Sequence, residues 1–342
     1  MENGARNRAL ITGVSGFVGS HLARFLLDST DWDVFGLVRW RSPLDNLEDL
    51  VPMANSSSRF FVRYADLKDQ RSLDSVVEDV SPGYVFHLAA QSYPVTSFTA
   101  PIDTLDTNIL GTYRLLDSIK RFSPKAIVHV CASSEVFGRV PSDKVPISED
   151  CSFHPASPYA ISKVGTDLVG RFFAEAYDMT VVTTRMFTHT GPKRGDVFAE
   201  SSFAKQIALI EHGFIPPVIK VGNLGSLRTF ADVRDAVRAY YLLVTKNPIK
   251  GEYYNIGGIH SCTIGEMLST LLSMSPMESK IAIEVDPTRL RPIDADLQIP
   301  DTAKFSSHTG WTPEIPFQTT MEDLLNYWRQ RVSTGGHRFL SR

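Results

Sequence analysis

A chain of 342 residues, 43% hydrophobic and 21% charged, carries enough apolar material for a sizeable core and suits one large domain with a smaller lobe. With 35 basic against 38 acidic side chains the formal net charge is −3, which excludes the basic footprint of a nucleic-acid or anionic-membrane binder. No run of about 18 apolar residues is present to cross a bilayer, and the polar stretch 1–8 lacks the apolar core of a signal peptide, so a cytoplasmic location is expected.

In chain order, the apolar run 8–12 predicts a strand and 17–27 a helix with helical apolar spacing. Strands at 34–38 and 60–64 follow, then a helix at 73–80 and a strand at 84–88. A long helix over 104–121 leads to a strand at 126–132. These runs do not alternate with polar residues, as expected of strands buried on both faces. Strands separated by helices pair in parallel through crossovers, which predicts a Rossmann-type, doubly wound α/β sheet. After Gly191, glycine and proline become frequent and short strand-like pieces appear at 218–221 and 253–256. We therefore expect a cofactor-binding domain over 1–190 and a smaller mixed α/β substrate lobe over 191–332, with segments around 228–260 returning to the main sheet. The last helix, 321–331, is expected to cap the fold, and 333–342 to form a flexible tail. The tryptophans, Trp311 among them, are expected to serve packing.

The first strand runs into Thr12-Gly13-Val14-Ser15-Gly16-Phe17-Val18-Gly19. Glycines at that spacing permit a tight turn and close approach of backbone to a pyrophosphate, which the following helix N-terminus then binds. A purely structural turn is the alternative. An NAD site would carry a carboxylate about 20 residues on. Here the second strand ends in Arg39-Trp40-Arg41, whose guanidinium groups suit a 2′-phosphate, so NADP is the expected cofactor. Either arginine could instead face solvent or a neighbouring subunit. Asp66, with Leu67 beside it, follows the third strand and is placed to bond the adenine amino group, or else to cap the next helix.

The strand ending at Ala132 opens into Ser133-Ser134-Glu135, and further on comes Tyr159-Ala160-Ile161-Ser162-Lys163. Tyrosine and lysine at i and i+4 share one helical face, where an ammonium beside the phenol would favour phenolate. A serine hydroxyl opposite would orient the substrate hydroxyl that loses its proton. Cys131, Cys151 and Cys262 lack CxxC spacing, and His87, His129, His189 and His260 lack metal-ligand spacing. Reduced thiols and no metal are expected.

The segments TGVSGFVGSHL (12–22), HLAAQS (87–92), NILGT (108–112), SSEVFG (133–138), SPYAISK (157–163) and RTFADVRDAV (228–237) together resemble the extended short-chain dehydrogenase/reductases that act on nucleotide sugars. The resemblance implies that Leu88, Ala89 and Ala90 line the cofactor and that Asn108 helps hold the catalytic helix. The Ser-Ser-Glu order, the loop FTHTGPKRG (187–195) and VRWRSPLDNL (38–47) are similar to the GDP-mannose 4,6-dehydratases. In such an enzyme Tyr159 and Lys163 serve oxidation at C4. Glu135 removes the C5 proton, and Ser133, Ser134 or Glu135 assists loss of the C6 hydroxyl. Glu135 could alternatively only shape the pocket.

Departures from that pattern are Thr188 for a common Asn, Ser133 for a common Thr, and Asp in 290–296 where Glu is usual. Reductases of the 4-keto-6-deoxy product share VGNL (221–224) and the Arg-Pro segment. A GDP-4-keto-6-deoxymannose reductase, or a dehydratase or epimerase for another GDP sugar, therefore stays open. Substrate contacts are expected from Thr188, Lys193, Arg194, Lys205, Arg228 and Arg291, the last two favoured for the diphosphate by resemblance. For each cation, a solvated surface charge is the alternative. The resemblance also implies a GDP-sugar substrate and a homodimer or homotetramer formed through helix pairs.

Overall fold

The computed structural model describes residues 6–54, 56, 59–290 and 297–335. The chain opens with β1 (Arg8–Thr12), α1 (Phe17–Ser29), β2 (Asp33–Val38), β3 (Phe60–Tyr64), α2 (Gln70–Val80) and β4 (Tyr84–His87). Next come α3 (Pro94–Thr99), α4 (Pro101–Leu105), α5 (Gly111–Phe122), β5 (Ile127–Cys131), α6 (Pro158–Tyr177) and β6 (Val181–Met186). The second part holds β7 (His189–Thr190), α7 (Ala199–Glu211), β8 (Val218–Val221), β9 (Leu227–Asp232), α8 (Val233–Thr245), β10 (Tyr253–Ile256) and β11 (His260–Thr263). It closes with α9 (Ile264–Ser273), β12 (Ala282–Val285), β13 (Leu297–Gln298), α10 (Ala303–Thr309) and α11 (Phe317–Gly335).

Seven parallel strands form the main sheet in the order β10-β6-β5-β4-β1-β2-β3. The strand order reverses between β1 and β4, the switch point beyond whose carboxyl ends doubly wound sheets bind ligands. Helices cover both faces. Ile11, Val34, Tyr240, Tyr254 and Trp311 belong to the core on one face, and Leu10, Val85, Leu116 and Phe173 to that on the other. This explains the apolar strand runs: β6 is buried at all six positions.

A separate core packs α7, α9 and α11 around Phe203, Ile207, Leu268, Leu324 and Trp328. Small sheets lie against it, β11-β9-β13 with β7 on β9, and β12 with β8. Within 228–260, β9 and β11 stay in a small sheet, α8 packs on α1, and β10 joins the main sheet beside β6.

Three local expectations are corrected. The helix expected over 104–121 begins at Pro101 and passes through a wider π-helical turn at Asp106–Leu110 before α5. The cap of α2 is Asp69, whose carboxylate accepts from the Arg71 N–H; Asp66 instead accepts from the Lys68 N–H. Trp32, Trp311 and Trp328 are buried, but Trp40 is 76% exposed, edge-on to Tyr64.

Candidate active site

A cleft of about 1030 Å³ runs from the carboxyl ends of β1, β4 and β5 into the second part of the chain. Gly13, Ser15, Gly16, Phe17, Val18 and Gly19 line one end. Gly13 has φ +71°, and a Cβ there would lie 2.9 Å from the Ala89 backbone, so the turn tolerates no side chain. Gly16 begins α1 with no side-chain cap and no acidic residue in the first turn. The uncapped amides and positive dipole end thus suit an anion. Leu88, Ala89 and Ala90 form the opposite wall, with the Leu88 and Ala89 amides each donating to Thr12 Oγ1 at 3.1 Å. That hydroxyl bonds His87 Nδ1 at 2.9 Å, and His87 Nε2 bonds Thr112 at 2.9 Å; burial pushes this imidazole down to about 3.

Arg39, Asp66 and Leu67 line the cleft's far end, where a groove continues past Trp40 and Arg41. Among the described residues neither Arg39 nor Arg41 pairs with a carboxylate. Arg41 has φ +71°, an uncommon backbone for a residue bearing a side chain.

At the cleft's centre stand Ser133, Ser134, Glu135, Tyr159 and Lys163. Ser157 caps α6, its Oγ accepting from the Ala160 N–H at 3.0 Å, with Pro158 at the first helical position. That start sets Tyr159 and Lys163 on the face turned to the cleft. Ser133 Oγ accepts from the Glu135 N–H at 3.2 Å, which fixes the turn carrying both side chains. Burial raises the Tyr159 phenol above its ordinary value; Ser133 and Arg194 pull it down, while Cys131 and Glu135 push it up. Burial lowers the Lys163 ammonium, whose Nζ donates to the Cys131 carbonyl at 2.7 Å. The carbonyl closing β5 thus takes one of the three donors of the Lys163 ammonium.

Asn108 does not line the cleft. Its amide nitrogen donates to Ser162 Oγ at 2.8 Å and to the Gln91 carbonyl at 3.0 Å, and its oxygen accepts from the Gln91 N–H at 2.8 Å. The π-helical turn thereby ties α6 to the loop after β4.

On the other side, Thr188, Arg194, Lys205 and Arg228 line the cleft. Lys205 pairs with Asp196 at 2.9 Å. Lys193 is not brought in: its ammonium donates to the Asn46 carbonyl at 2.8 Å and pairs with Asp49 at 3.2 Å. Arg291, with 292–296, lies outside the described residues. Sequence reasoning missed Gln91, Tyr93, Phe198 and Glu200 in the lining. Tyr93 and Phe198 meet edge-on across the cleft, centroids 6.0 Å apart, and no local spacing signals such a pair. Among the described residues no cluster suits a metal ion, and no helix is long and apolar enough to cross a membrane.

The sequence pattern that defines the family described as GDP-mannose 4,6 dehydratase matches residues 10–324. The GDP-6-deoxy-D-mannose reductase of Pseudomonas aeruginosa is 31% identical, the match covering 95% of this chain and 98% of that protein. GDP-mannose 4,6 dehydratase 1 of Arabidopsis thaliana is 30% identical, over 94% of this chain and 89% of that one. Among solved structures, RMD from Pseudomonas aeruginosa complexed with NADPH superposes with a TM-score of 0.79 at 28% identity, covering 95% of this chain and all of that one. Other structures of this fold carry NAD.

Proposed function

The chain belongs to the GDP-mannose 4,6 dehydratase family, and we propose that it converts GDP-mannose into GDP-4-keto-6-deoxymannose and water, with NADP as a resident cofactor. The observation that carries this reading is Glu135 in one cleft with Ser133, Tyr159 and Lys163. A ketoreductase needs only the last three; a dehydratase also needs a base for C5.

The glycine turn and uncapped start of α1 fit a dinucleotide pyrophosphate, and Asp66 fits the adenine. Arg39 and Arg41, neither held by a carboxylate, fit a 2′-phosphate better than a bare ribose. Bound there, the nicotinamide supplies a hydride acceptor at C4 and a donor at C6. Tyr159 takes the C4 hydroxyl proton, with Ser133 orienting that hydroxyl and the Lys163 charge close by. Glu135 removes the C5 proton made acidic by the 4-ketone. Ser133, Ser134 or Glu135 delivers a proton to the departing C6 hydroxyl, and the proton taken by Tyr159 returns to the sugar at C5 as C6 is reduced. Arg228, Arg194 and Lys205, from the lobe beyond residue 190, hold the nucleotide sugar together with Thr188.

Purified protein given GDP-mannose and no reductant should yield a product lighter by one water. Glu135→Gln should lose that product while keeping NADP; full activity in that variant would sink the assignment. A second reading, reduction of the 4-keto-6-deoxy sugar, is favoured by the likeness to the Pseudomonas aeruginosa reductase. NADPH consumption on that sugar, with GDP-mannose untouched, selects it.

We also place the protein in the cytoplasm as a dimer or tetramer. Ile161, Leu168 and Phe172 form an exposed apolar stripe on α6, and Leu110 and Tyr113 lie exposed nearby, a face suited to a second copy. Sedimentation as a monomer alone would remove this.

A further inference from the structure

Lys193, expected at the substrate, is turned away from the cleft, and what it grips instead lies on the cofactor side. Its Nζ donates to the Asn46 carbonyl at 2.8 Å and meets Asp49 Oδ1 at 3.2 Å. Asn46 in turn donates from Nδ2 to the Ser15 carbonyl at 3.3 Å, inside the glycine turn that lines the cleft. Asp49 is shared with α1, whose Arg24 reaches its other oxygen at 2.9 Å. The segment carrying Asn46 and Asp49 is firmly mounted, because Leu47 and Leu50 are fully buried in the same core as Leu22 and Leu26 of α1. Two further contacts join the loop 187–195 to α1. His21 Nε2–H donates to the Pro192 carbonyl at 2.8 Å, and the His189 ring stacks on Phe17 with centroids 5.9 Å apart.

One loop thus serves both ends of the cleft. Thr188 and Arg194 line it, and Arg194 pairs with Glu200 of α7 at 3.1 Å. Pro192 and Lys193, between them in sequence, hold α1 and the segment beside the glycine turn. Lys193 does so at φ +72°, a backbone that a residue with a side chain keeps only where its surroundings over-determine it. Of its two bonds, the one to the carbonyl counts for more. Asp49 is 41% exposed, and ion pairs so open to water contribute little.

Resting on the reading that a dinucleotide lies on the glycine turn and a nucleotide sugar in the lobe, we propose that Lys193 latches the two subsites together, so that filling the sugar end slows release of the cofactor. Lys193 stands outside the cleft and acts through Asn46 and the glycine turn, so it is a positioning residue. The proposed reaction needs such a device. It returns its hydride to the sugar that gave it, and a cofactor lost between the two transfers would leave that sugar half-converted. Coupling of this kind is reciprocal: whatever factor the nucleotide adds to cofactor affinity, the cofactor adds to nucleotide affinity.

The test follows NADPH fluorescence while protein loaded with NADPH is chased with excess NADP, with and without GDP, a nucleotide that has no sugar to react. In the unaltered protein GDP should slow NADPH release by about tenfold. Lys193→Met keeps the length of the stem and removes the ammonium; it should bring that ratio close to one, and Lys193→Arg should restore most of it. Asn46→Ala removes the amide bonded to Ser15 yet keeps the carbonyl that Lys193 uses. It should erase the same ratio, and it carries the test if Lys193→Met does not fold. Combined, the two substitutions should do no more than either alone, as for links in one chain. Release that quickens in both variants by one factor, with and without GDP, leaves the ratio intact and overturns the proposal, for that is the mark of a purely structural contact. GDP that binds the unaltered protein by calorimetry without slowing release overturns it as well. No binding of GDP at all is a different result: it refutes the GDP-sugar reading, and the latch falls with it.

Discussion

The two ends of the cleft are built on different rules. At the cofactor end, long-range geometry follows from local pattern: a seven-stranded parallel sheet places one glycine turn and one uncapped helix start at its switch point. At the sugar end, β7 and β13 are two residues each, and some of the side chains there are held by partners far off in sequence. Arg289 donates to Ser202 Oγ at 3.0 Å, and Trp328 reaches Ser201. The contrast teaches that a backbone-built subsite can be read from spacing, whereas a subsite built from side chains on short strands cannot.

Two glycines with nearly the same backbone put that contrast to the test. Gly13→Ala should abolish measurable NADP binding by calorimetry and lower the melting temperature markedly, because φ +71° is combined with a contact at 2.9 Å to the Ala89 backbone. Retained NADP affinity would break the claim that backbone alone builds this subsite.

A middle-sized effect comes from the buried histidines of the main sheet. His87 and His129 lie in the main sheet, both pushed from 6.5 down to about 3, first of all by burial. In that window the unfolded chain binds protons that the folded chain does not. Their share of stability is therefore whole above about pH 6.5 and falls as pH drops toward 3, by up to roughly 1.4 kcal/mol per pH unit for each histidine. Denaturant melts between pH 7 and 5 should show this slope, and His129→Gln should flatten it; an unchanged slope in the variant would refute the assignment.

The smallest effect belongs to the lobe. Gly213 has φ +70°, but nothing lies within 4 Å of where a Cβ would stand. Gly213→Ala should cost about 1–2 kcal/mol and leave both affinities unchanged, the penalty being the left-handed backbone alone. A loss matching that of Gly13→Ala would show that the difference between the two ends is not one of close approach.

Much of the fold was legible because buried parallel strands leave continuous apolar runs, and β1 to β5 lie within a residue or so of where those runs fall. The central cluster was legible too, since a strand end, a helix cap and an i, i+4 pair are local features. Three things escaped. The π-helical turn at Asp106–Leu110 is invisible to a helical pattern that tolerates one extra residue. The Lys163 partner is a main-chain carbonyl, which no residue type advertises. The Arg194–Glu200 pair has nothing in its spacing to distinguish it from surface charges; only folding shows that it is enclosed by Phe17 and Phe198.

The position of β10 has a consequence for how this protein is made. Its partner β6 is buried at every position in the finished sheet, yet β10 leaves the ribosome only after the whole of β7 to α8. During that interval β6 is an open strand edge with unpaired backbone groups, a template for pairing with another nascent chain. Translation speed across residues 187–256 therefore bears directly on yield, and a cofactor-binding half cut off at β6 would be an aggregation-prone fragment.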